Sequence, residues 1–173
     1  MGIDLAAYIR DVPDFPRPGV VFKDIMPLLA DAEALREAVE QLAAFAEPRS
    51  PELVLGAESR GFILGGALAY RLGCGFAAAR KRGKLPWRTV AVDYALEYGT
   101  DSLELHEDVI VPGTRVLVHD DLLATGGTAA AKVELIERSG GVVAGIVFLA
   151  ELGFLGGRDR LGGHDVHSVI RFP

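Results

Sequence analysis

The stretch Val116–Thr128 constrains the fold of this chain more than any other. An apolar run ends in two adjacent carboxylates, Asp120 and Asp121, and a turn of small residues, Ala124–Thr128, follows them closely. A helical pattern begins after the turn, so the order is strand, acidic tip, loop and helix. Because a helix start offers free N–H groups and a positive dipole end, the loop predicts a phosphate site. The carboxylates suit a vicinal diol or a place near a metal.

This loop differs from the two common nucleotide-binding loops. It lacks the Gly-Lys-Ser/Thr ending of a Walker loop and the Gly-x-Gly-x-x-Gly spacing of a dinucleotide fold. Gly126 and Gly127 allow the backbone to approach an anion without a Cβ clash. On its own the Gly-Gly pair is also compatible with an ordinary turn, so the prediction depends on the whole order of elements.

The rest of the chain alternates apolar runs with helical periodicity, which predicts an α/β fold. We expect a doubly wound, mostly parallel sheet with helices on both faces. The pattern predicts helices over 32–47, 62–71 and 129–139, and strands over 53–57, 76–79, 115–120, 142–149 (central) and 166–170 (edge). Ligands of such sheets bind at the carboxyl ends of the strands. Three informative segments follow strands there: Glu58–Gly61, Arg80–Lys84 and Asp120–Thr128.

The segment 81–111 departs from this pattern. Val90, Val92 and Tyr94 alternate with other residues, as do Leu103 and Leu105, and Gly and Pro residues punctuate the stretch. Such alternation predicts an antiparallel flap of two strands instead of a βα unit.

Composition limits the class of protein. The 173 residues suit one domain, and the net charge of −6 argues against a protein that coats nucleic acid. No apolar run approaches the length of a membrane span, and no secretory signal is visible. The single cysteine, Cys74, excludes an internal disulfide. These features predict a cytoplasmic protein without a membrane partner.

Residues 80–88 contain five cations and no acid. Such a cluster in an acidic protein is compatible with binding of a polyanionic small ligand, and equally with a solvated basic loop.

His119 precedes the acidic pair. It is either a strand-end histidine with one hydrogen-bond partner or a proton-sensitive neighbour of Asp120. The sequence leaves both open.

Several separate blocks carry a family resemblance: PGVVFKDI, AESRGF, ARKRGKLP, YALEYG and HDDLLATGGT. With them the chain resembles, from about residue 14 to 161, the adenine phosphoribosyltransferases among the type I phosphoribosyltransferases. The resemblance implies transfer of the 5-phosphoribosyl group from 5-phosphoribosyl-1-pyrophosphate to adenine, giving AMP and pyrophosphate. It also implies a homodimer, and Mg²⁺ held by pyrophosphate and water instead of protein side chains.

The resemblance assigns roles to residues by position. The loop would bind the 5′-phosphate through Ala124, Thr125, Gly126, Gly127 and Thr128. Asp120 and Asp121 would bind the ribose hydroxyls. A third group would bind pyrophosphate or substrate, with a cis peptide between its first two residues: Glu58, Ser59, Arg60, Arg80, Lys81 and Lys84. Arg60, Asp120, Asp121 and Glu97 would be the catalytic residues.

The resemblance also places base recognition in segment 14–27. The carbonyl of Val21 and the N–H of Lys23 would meet the amine and N1 of adenine, and Phe22 would offer a stacking face. Lys23 stands where the family usually has arginine. In the flap, Glu97 would act as a proton shuttle near N7 and Tyr98 would close over the ribose.

Three other functions are weaker alternatives. The same fold could serve another base (guanine, xanthine or orotate), but the blocks ARKRGKLP and YALEYG argue against it. A non-catalytic regulator that uses the pocket as a sensor would need a DNA-binding extension, for which we expect no room in 173 residues. A plain doubly wound domain that binds a different phosphate would leave the flap and the basic cluster without an explanation.

Overall fold

A computed structural model of the protein describes residues 3–96 and 99–173. It contains nine strands and four α-helices within these ranges. The strands are β1 (Arg10–Pro13), β2 (Val21–Asp24), β3 (Leu53–Ala57), β4 (Gly75–Lys81), β5 (Thr89–Leu96), β6 (Gly99–His106), β7 (Arg115–Leu123), β8 (Val142–Leu152) and β9 (Val166–Phe172). The helices are α1 (Met26–Ala30), α2 (Ala32–Ala46), α3 (Gly61–Leu72) and α4 (Gly127–Arg138).

Seven strands form one sheet in the order β5-β6-β4-β3-β7-β8-β9. The five strands from β4 to β9 in this order pair in parallel, and β6 pairs antiparallel with β4 and β5. This confirms the predicted mostly parallel sheet and the edge position of the last strand. The prediction that 142–149 would be central was wrong in detail, because β3 lies in the middle and β8 is second from the edge. Its residues 145–151 are nevertheless buried, which explains the unbroken apolar run.

Helices cover both faces of the sheet, as predicted. Alternate side chains of a strand point to opposite faces, so Val54 and Leu117 pack with α2 and α3. Their neighbours Leu55 and Val118 pack with α4 on the other face. The result is two apolar layers separated by the sheet, with the functional loops at its carboxyl edge.

The helix ends follow local chemistry. Asp31 caps α2, because its carboxylate accepts hydrogen bonds from the N–H groups of Glu33 (3.0 Å) and Ala34 (2.9 Å). Helix α4 begins at Gly127, two residues before its predicted start, so part of the predicted phosphate loop is the first helical turn. No helix among the residues described is both long and apolar enough to cross a membrane.

The predicted flap is an antiparallel hairpin of β5 and β6, but its base belongs to the main sheet. Lys81 is the last residue of the parallel strand β4 and pairs with Leu103 of β6. Val92, Leu103 and Leu105 are buried in the core layer beneath α4. Glu97 and Tyr98, for which the family resemblance implies roles, lie outside the described residues.

The N-terminal segment forms a separate two-stranded antiparallel sheet of β1 and β2. Val12 pairs with Phe22 and Asp11 with Lys23. The side chains of Arg10 and Asp24 form an ion pair across it at 2.6 Å. The predicted base-reading residues Val21–Lys23 therefore lie on a defined strand.

Candidate active site

The five residues Ala124–Thr128 line a cavity of about 230 Å³, which we call the loop cavity. Its other walls include Glu58, Arg60, Asp120 and Asp121, so residues after β3 and at the end of β7 meet there as predicted. Gly126 adopts a φ of +82°, and no side chain caps the start of α4 within the described chain. The first-turn N–H groups can therefore serve an anion.

The segment at Gly157 packs against the predicted phosphate loop. A Cβ atom on Gly126 would overlap the carbonyl oxygen of Gly157, and a Cβ on Gly157 would overlap that of Ala124. Arg158 fixes this support, because its guanidinium binds the buried carboxylate of Glu151 through Nε (2.9 Å) and Nη2 (2.7 Å). Sequence reasoning missed this contact, although two glycines before an arginine were a signal of close backbone approach.

The two adjacent aspartates have different partners. Asp120 Oδ2 accepts a hydrogen bond from Lys132 Nζ (2.8 Å), and Oδ1 accepts one from the N–H of Asp121 (3.0 Å). Asp121 Oδ2 lies 2.6 Å from Arg60 Nε. Burial, and then the charge of Asp120, raise the pKa of Asp121 to about 6, although Arg60 opposes the shift. The site therefore holds one carboxylate paired with a lysine and one carboxyl with a pKa raised to about 6.

His119 is fully buried beside this pair. Its Nδ1 lies 3.2 Å from the carbonyl oxygen of Val147, and burial lowers the pKa of the imidazole to about 4. Since a carbonyl only accepts, Nδ1 carries the proton of a neutral ring at pH 7. This favours the reading of His119 as a strand-end histidine with one hydrogen-bond partner.

The predicted pyrophosphate residues gather around Glu58. The peptide Glu58–Ser59 is cis, as the resemblance implied. The Glu58 carboxylate accepts hydrogen bonds from the N–H of Lys81 (2.5 Å) and from Nη2 of Arg80 (3.2 Å). Arg80 also donates to the carbonyl of Lys84 (3.1 Å), which ties the basic segment to the edge of the loop cavity.

The side chain of Lys81 is turned towards the hairpin. Its ammonium pairs with Asp101 at 3.0 Å, and this contact raises the pKa of Lys81. Tyr94 donates to the same carboxylate at 3.4 Å. The structure therefore brings Arg60 directly to the loop cavity, and places Arg80, Lys81 and Lys84 next to it without making them its walls.

A larger cavity of about 860 Å³ adjoins the first and shares Thr125 with it. We call it the terminal cavity, because Phe172 and Pro173 at the chain end help to line it. Its walls also include Val21 and Lys23 of β2. Further apolar walls come from a segment without any predicted role: Leu152, Phe154 and Leu155.

The backbone of β2 has polar groups to offer this cavity. The carbonyl of Val20 accepts a hydrogen bond from the N–H of Phe15 (3.2 Å), so position 20 faces the preceding segment. Because paired and unpaired positions alternate in antiparallel strands, Val21 and Lys23 direct their N–H and C=O groups away from β1. Pro13, the partner of Val21, has no N–H to donate, which fits this register.

The side chains of the same strand have partners of their own. Lys23 Nζ pairs with Asp11 at 2.6 Å and lies 4.2 Å from the ring centre of Phe172. The guanidinium of Arg60 lies 4.8 Å from the ring centre of Phe22. Arg60 thus contacts both Phe22 of β2 and Asp121 of the loop cavity.

Among residues 3–96 and 99–173, no three His, Cys, Asp or Glu side chains are grouped so as to hold a metal ion by themselves. The carboxylates of the loop cavity already have cationic partners in Lys132 and Arg60. Such a donor set fits a metal that arrives with oxygen ligands of its own better than one bound by the protein alone.

Residues 27–161 match the family model described as phosphoribosyl transferase domain. The chain is 59% identical over 165 residues to the adenine phosphoribosyltransferase of Rubrobacter xylanophilus, covering 95% of this chain and 89% of that protein. The crystal structure of adenine phosphoribosyltransferase from Thermoanaerobacter pseudethanolicus matches with a TM-score of 0.95 at 51% identity over 98% of both chains. The Saccharomyces cerevisiae protein complexed with adenine matches with a TM-score of 0.92 at 34% identity over 96% of both chains.

Proposed function

The chain belongs to the adenine phosphoribosyltransferase family, and we infer from this premise that it transfers the 5-phosphoribosyl group of 5-phosphoribosyl-1-pyrophosphate to adenine. The products are AMP and pyrophosphate, so the reaction is purine salvage. The likeness also confirms the predicted type I phosphoribosyltransferase fold. The observation that carries the assignment is the junction of two cavities at Thr125, one suited to a phosphorylated sugar and one to a flat apolar ring.

Adenine is recognised by the backbone of β2. The carbonyl of Val21 accepts from the exocyclic amine, and the N–H of Lys23 donates to N1. Support comes from the register, which turns both groups away from β1. Hypoxanthine has the opposite polarity at these two positions, so it would leave buried polar groups unpaired. Phe22 stays a candidate for stacking, with Arg60 already over its ring.

The sugar is held at its two ends. The N–H groups of Ala124–Thr128 bind the 5′-phosphate, and Asp120 and Asp121 accept hydrogen bonds from the ribose hydroxyls. Breaking the bond at C1′ builds positive charge on the sugar ring, which a nearby carboxylate stabilises. Asp121 suits this role. The cation that the structure describes beside it, Arg60, contacts Oδ2, and the carboxylate lines the loop cavity.

The pyrophosphate binds on the side of Glu58, Ser59 and the basic segment. Arg60, Arg80, Lys81 and Lys84 supply cations there, although Lys81 and Arg80 must exchange present partners for the ligand. Mg²⁺ is the cofactor; when bound, it neutralises charge on the leaving pyrophosphate. It would be held by pyrophosphate and water oxygens, in keeping with the occupied carboxylates of the site.

Glu97 and Tyr98, which come between β5 and β6 in the sequence, take the roles that the family resemblance implies: Glu97 is the proton shuttle and Tyr98 covers the ribose. The buried residues Val92 and Leu103 anchor the hairpin base, so closure is confined to the tip. We expect hydrogen exchange over 93–102 to slow when AMP is added, while exchange over 103–106 is slow throughout. Slow, ligand-independent exchange at the tip would contradict a gating role.

The protein works as a homodimer in the cytoplasm. Support for a dimer comes from α3, where Ile63 and Tyr70 are exposed by 47% and 91%. They lie about two helical turns apart and so share one face. A single cysteine, Cys74, fits a reducing compartment.

A spectrophotometric assay of AMP formation from adenine, phosphoribosyl pyrophosphate and Mg²⁺ tests the assignment. We expect adenine to be preferred over hypoxanthine and guanine by about a hundredfold or more in kcat/KM. Omitting Mg²⁺ provides the control for the cofactor. Comparable rates with hypoxanthine would contradict base reading by β2, and no nucleotide from any base would contradict the function itself.

A further inference from the structure

Lys132 is the one charged side chain of α4 that is completely buried in the part of the chain that the structure describes. A lysine is seldom buried in this way unless it is paired, because its ammonium loses hydration. Here Nζ donates to the carbonyl oxygen of His119 (2.6 Å) and to Oδ2 of Asp120 (2.8 Å). The second acceptor lines the loop cavity, which connects this buried cation to the reaction site.

Asp120 is held from three directions. Lys132 of α4 binds Oδ2, the N–H of Asp121 binds Oδ1, and Gly61 at the start of α3 packs against the same Oδ1. A Cβ atom on Gly61 would lie 2.5 Å from that oxygen. The carboxylate therefore has one orientation, and Lys132 is the one cation in contact with it among the described residues.

Asp121 is held differently. Within residues 3–96 and 99–173 its one ion pair is with Arg60, which is partly exposed and also contacts Phe22. The Arg60 side chain belongs to the binding surface and can respond to ligands, whereas Lys132 lies beneath the surface and cannot reach them. The adjacent acids thus have one fixed and one adaptable counter-charge.

We propose that Lys132 is a positioning residue for the proposed transferase: it fixes the carboxylate of Asp120 so that one ribose hydroxyl meets a preoriented acceptor. The proposal rests on the proposed function, since it needs a ribose in the loop cavity. Lys132 does not touch the substrate. It acts through Asp120, and its effect is limited to ligands that carry the hydroxyl bound by that residue.

The test compares the affinities of AMP, 2′-deoxy-AMP and 3′-deoxy-AMP in the wild type and in Lys132→Met, which keeps the length of the side chain without charge or donor. We expect AMP to bind about tenfold more weakly or worse to the variant, because the hydrogen bond to a charged acceptor is misaligned. The deoxy nucleotide lacking the hydroxyl of Asp120 should lose little. The ratio of the Kd of this deoxy nucleotide to the Kd of AMP should therefore fall by the same factor in the variant.

Lys132→Gln retains a donor without the charge and should give a smaller loss with the same selectivity for the hydroxyl. Arg138→Met is the matched control, because it removes an exposed cation of the same helix and should leave all three affinities unchanged. An equal loss for all three nucleotides, no loss at all, or failure of both Lys132 variants to fold would overturn the positioning role. If the wild type itself does not bind AMP, the proposed function fails instead, whatever the variants do.

Discussion

The two cavities of the site are built in opposite ways. The loop cavity, of about 230 Å³, is lined by backbone of one short loop and by paired charges. The terminal cavity, of about 860 Å³, is lined largely by apolar side chains from distant parts of the chain. One cavity is therefore formed by a single local segment with its charged neighbours, and the other by apolar side chains that are far apart in the sequence.

This difference separates two kinds of specificity. In the loop cavity, Gly126 and Gly157 are in such close contact that neither position accepts a Cβ atom. In the terminal cavity, Phe154 and Leu155 are exposed by 68% and 39%, and polar groups come from the backbone of β2 and from the side chains of Asp11, Arg17 and Lys23. Substitutions near the phosphate loop should thus affect sugar-phosphate binding sharply, whereas wall residues of the terminal cavity should tolerate change.

The largest effect is expected for Gly157→Ala. The new Cβ would overlap the carbonyl oxygen of Ala124 and displace the phosphate loop. A misplacement of about 1 Å can reduce a rate by about a hundredfold, and we expect a loss of this order in kcat/KM for phosphoribosyl pyrophosphate.

Gly162→Ala is the matched control for this substitution. It lies in the same segment, but its Cβ would come no closer than 3.9 Å to a neighbouring atom, the carbonyl oxygen of Asp159. A wild-type rate for Gly157→Ala would show that the loop does not need its support. A loss for both variants would point to the segment's fold instead of the contact.

Much of the loop cavity could be predicted because its parts are adjacent in the sequence. The strand, the acids, the loop and the helix follow one another within Val116–Thr128, so local pattern carried the information. The terminal cavity combines residues 11–23 with residues 152–173, and no local pattern joins them. The role of Lys132 was missed for a related reason. Helical periodicity predicts which residues share a face of the helix, but it does not predict that Asp120 of the neighbouring strand binds the Lys132 side chain.

An intermediate effect is expected for Asp121→Asn. The amide keeps the size of the side chain but loses the charge that we propose faces the ribose, which should cost about 1.5–3 kcal/mol, or roughly 10- to 150-fold in kcat/KM. In the wild type the raised pKa of Asp121, about 6, means that the active carboxylate is lost as pH falls below that value. The acidic limb of the rate profile should therefore disappear in the variant.

Folding should respond to Asp121→Asn in the opposite sense to catalysis. Because burial raises the pKa in the folded state, ionised Asp121 opposes folding increasingly as pH rises through the range from 3.8 to about 6. The neutral amide removes this penalty, so thermal stability at pH 7 should be equal or higher. Asp120→Asn, which leaves Lys132 without its charged partner, should instead lose both activity and stability. Unchanged kinetics for Asp121→Asn would contradict its role at the ribose.

The smallest effect is expected at Lys23, although it lies in the segment that we propose reads the base. Its ammonium pairs with Asp11 and lies over Phe172, so the backbone N–H is the group left for adenine. Lys23→Met keeps that N–H and should change the KM for adenine by less than about threefold, with a stability loss below about 1 kcal/mol. Lys23→Pro is the informative counterpart, because it removes the N–H itself and should abolish the preference for adenine over hypoxanthine. Steady-state kinetics with both bases compare the two variants directly. A large loss of adenine binding in Lys23→Met would mean that the ammonium, and not the backbone of β2, recognises the base, and base recognition in the terminal cavity would then depend on a side chain.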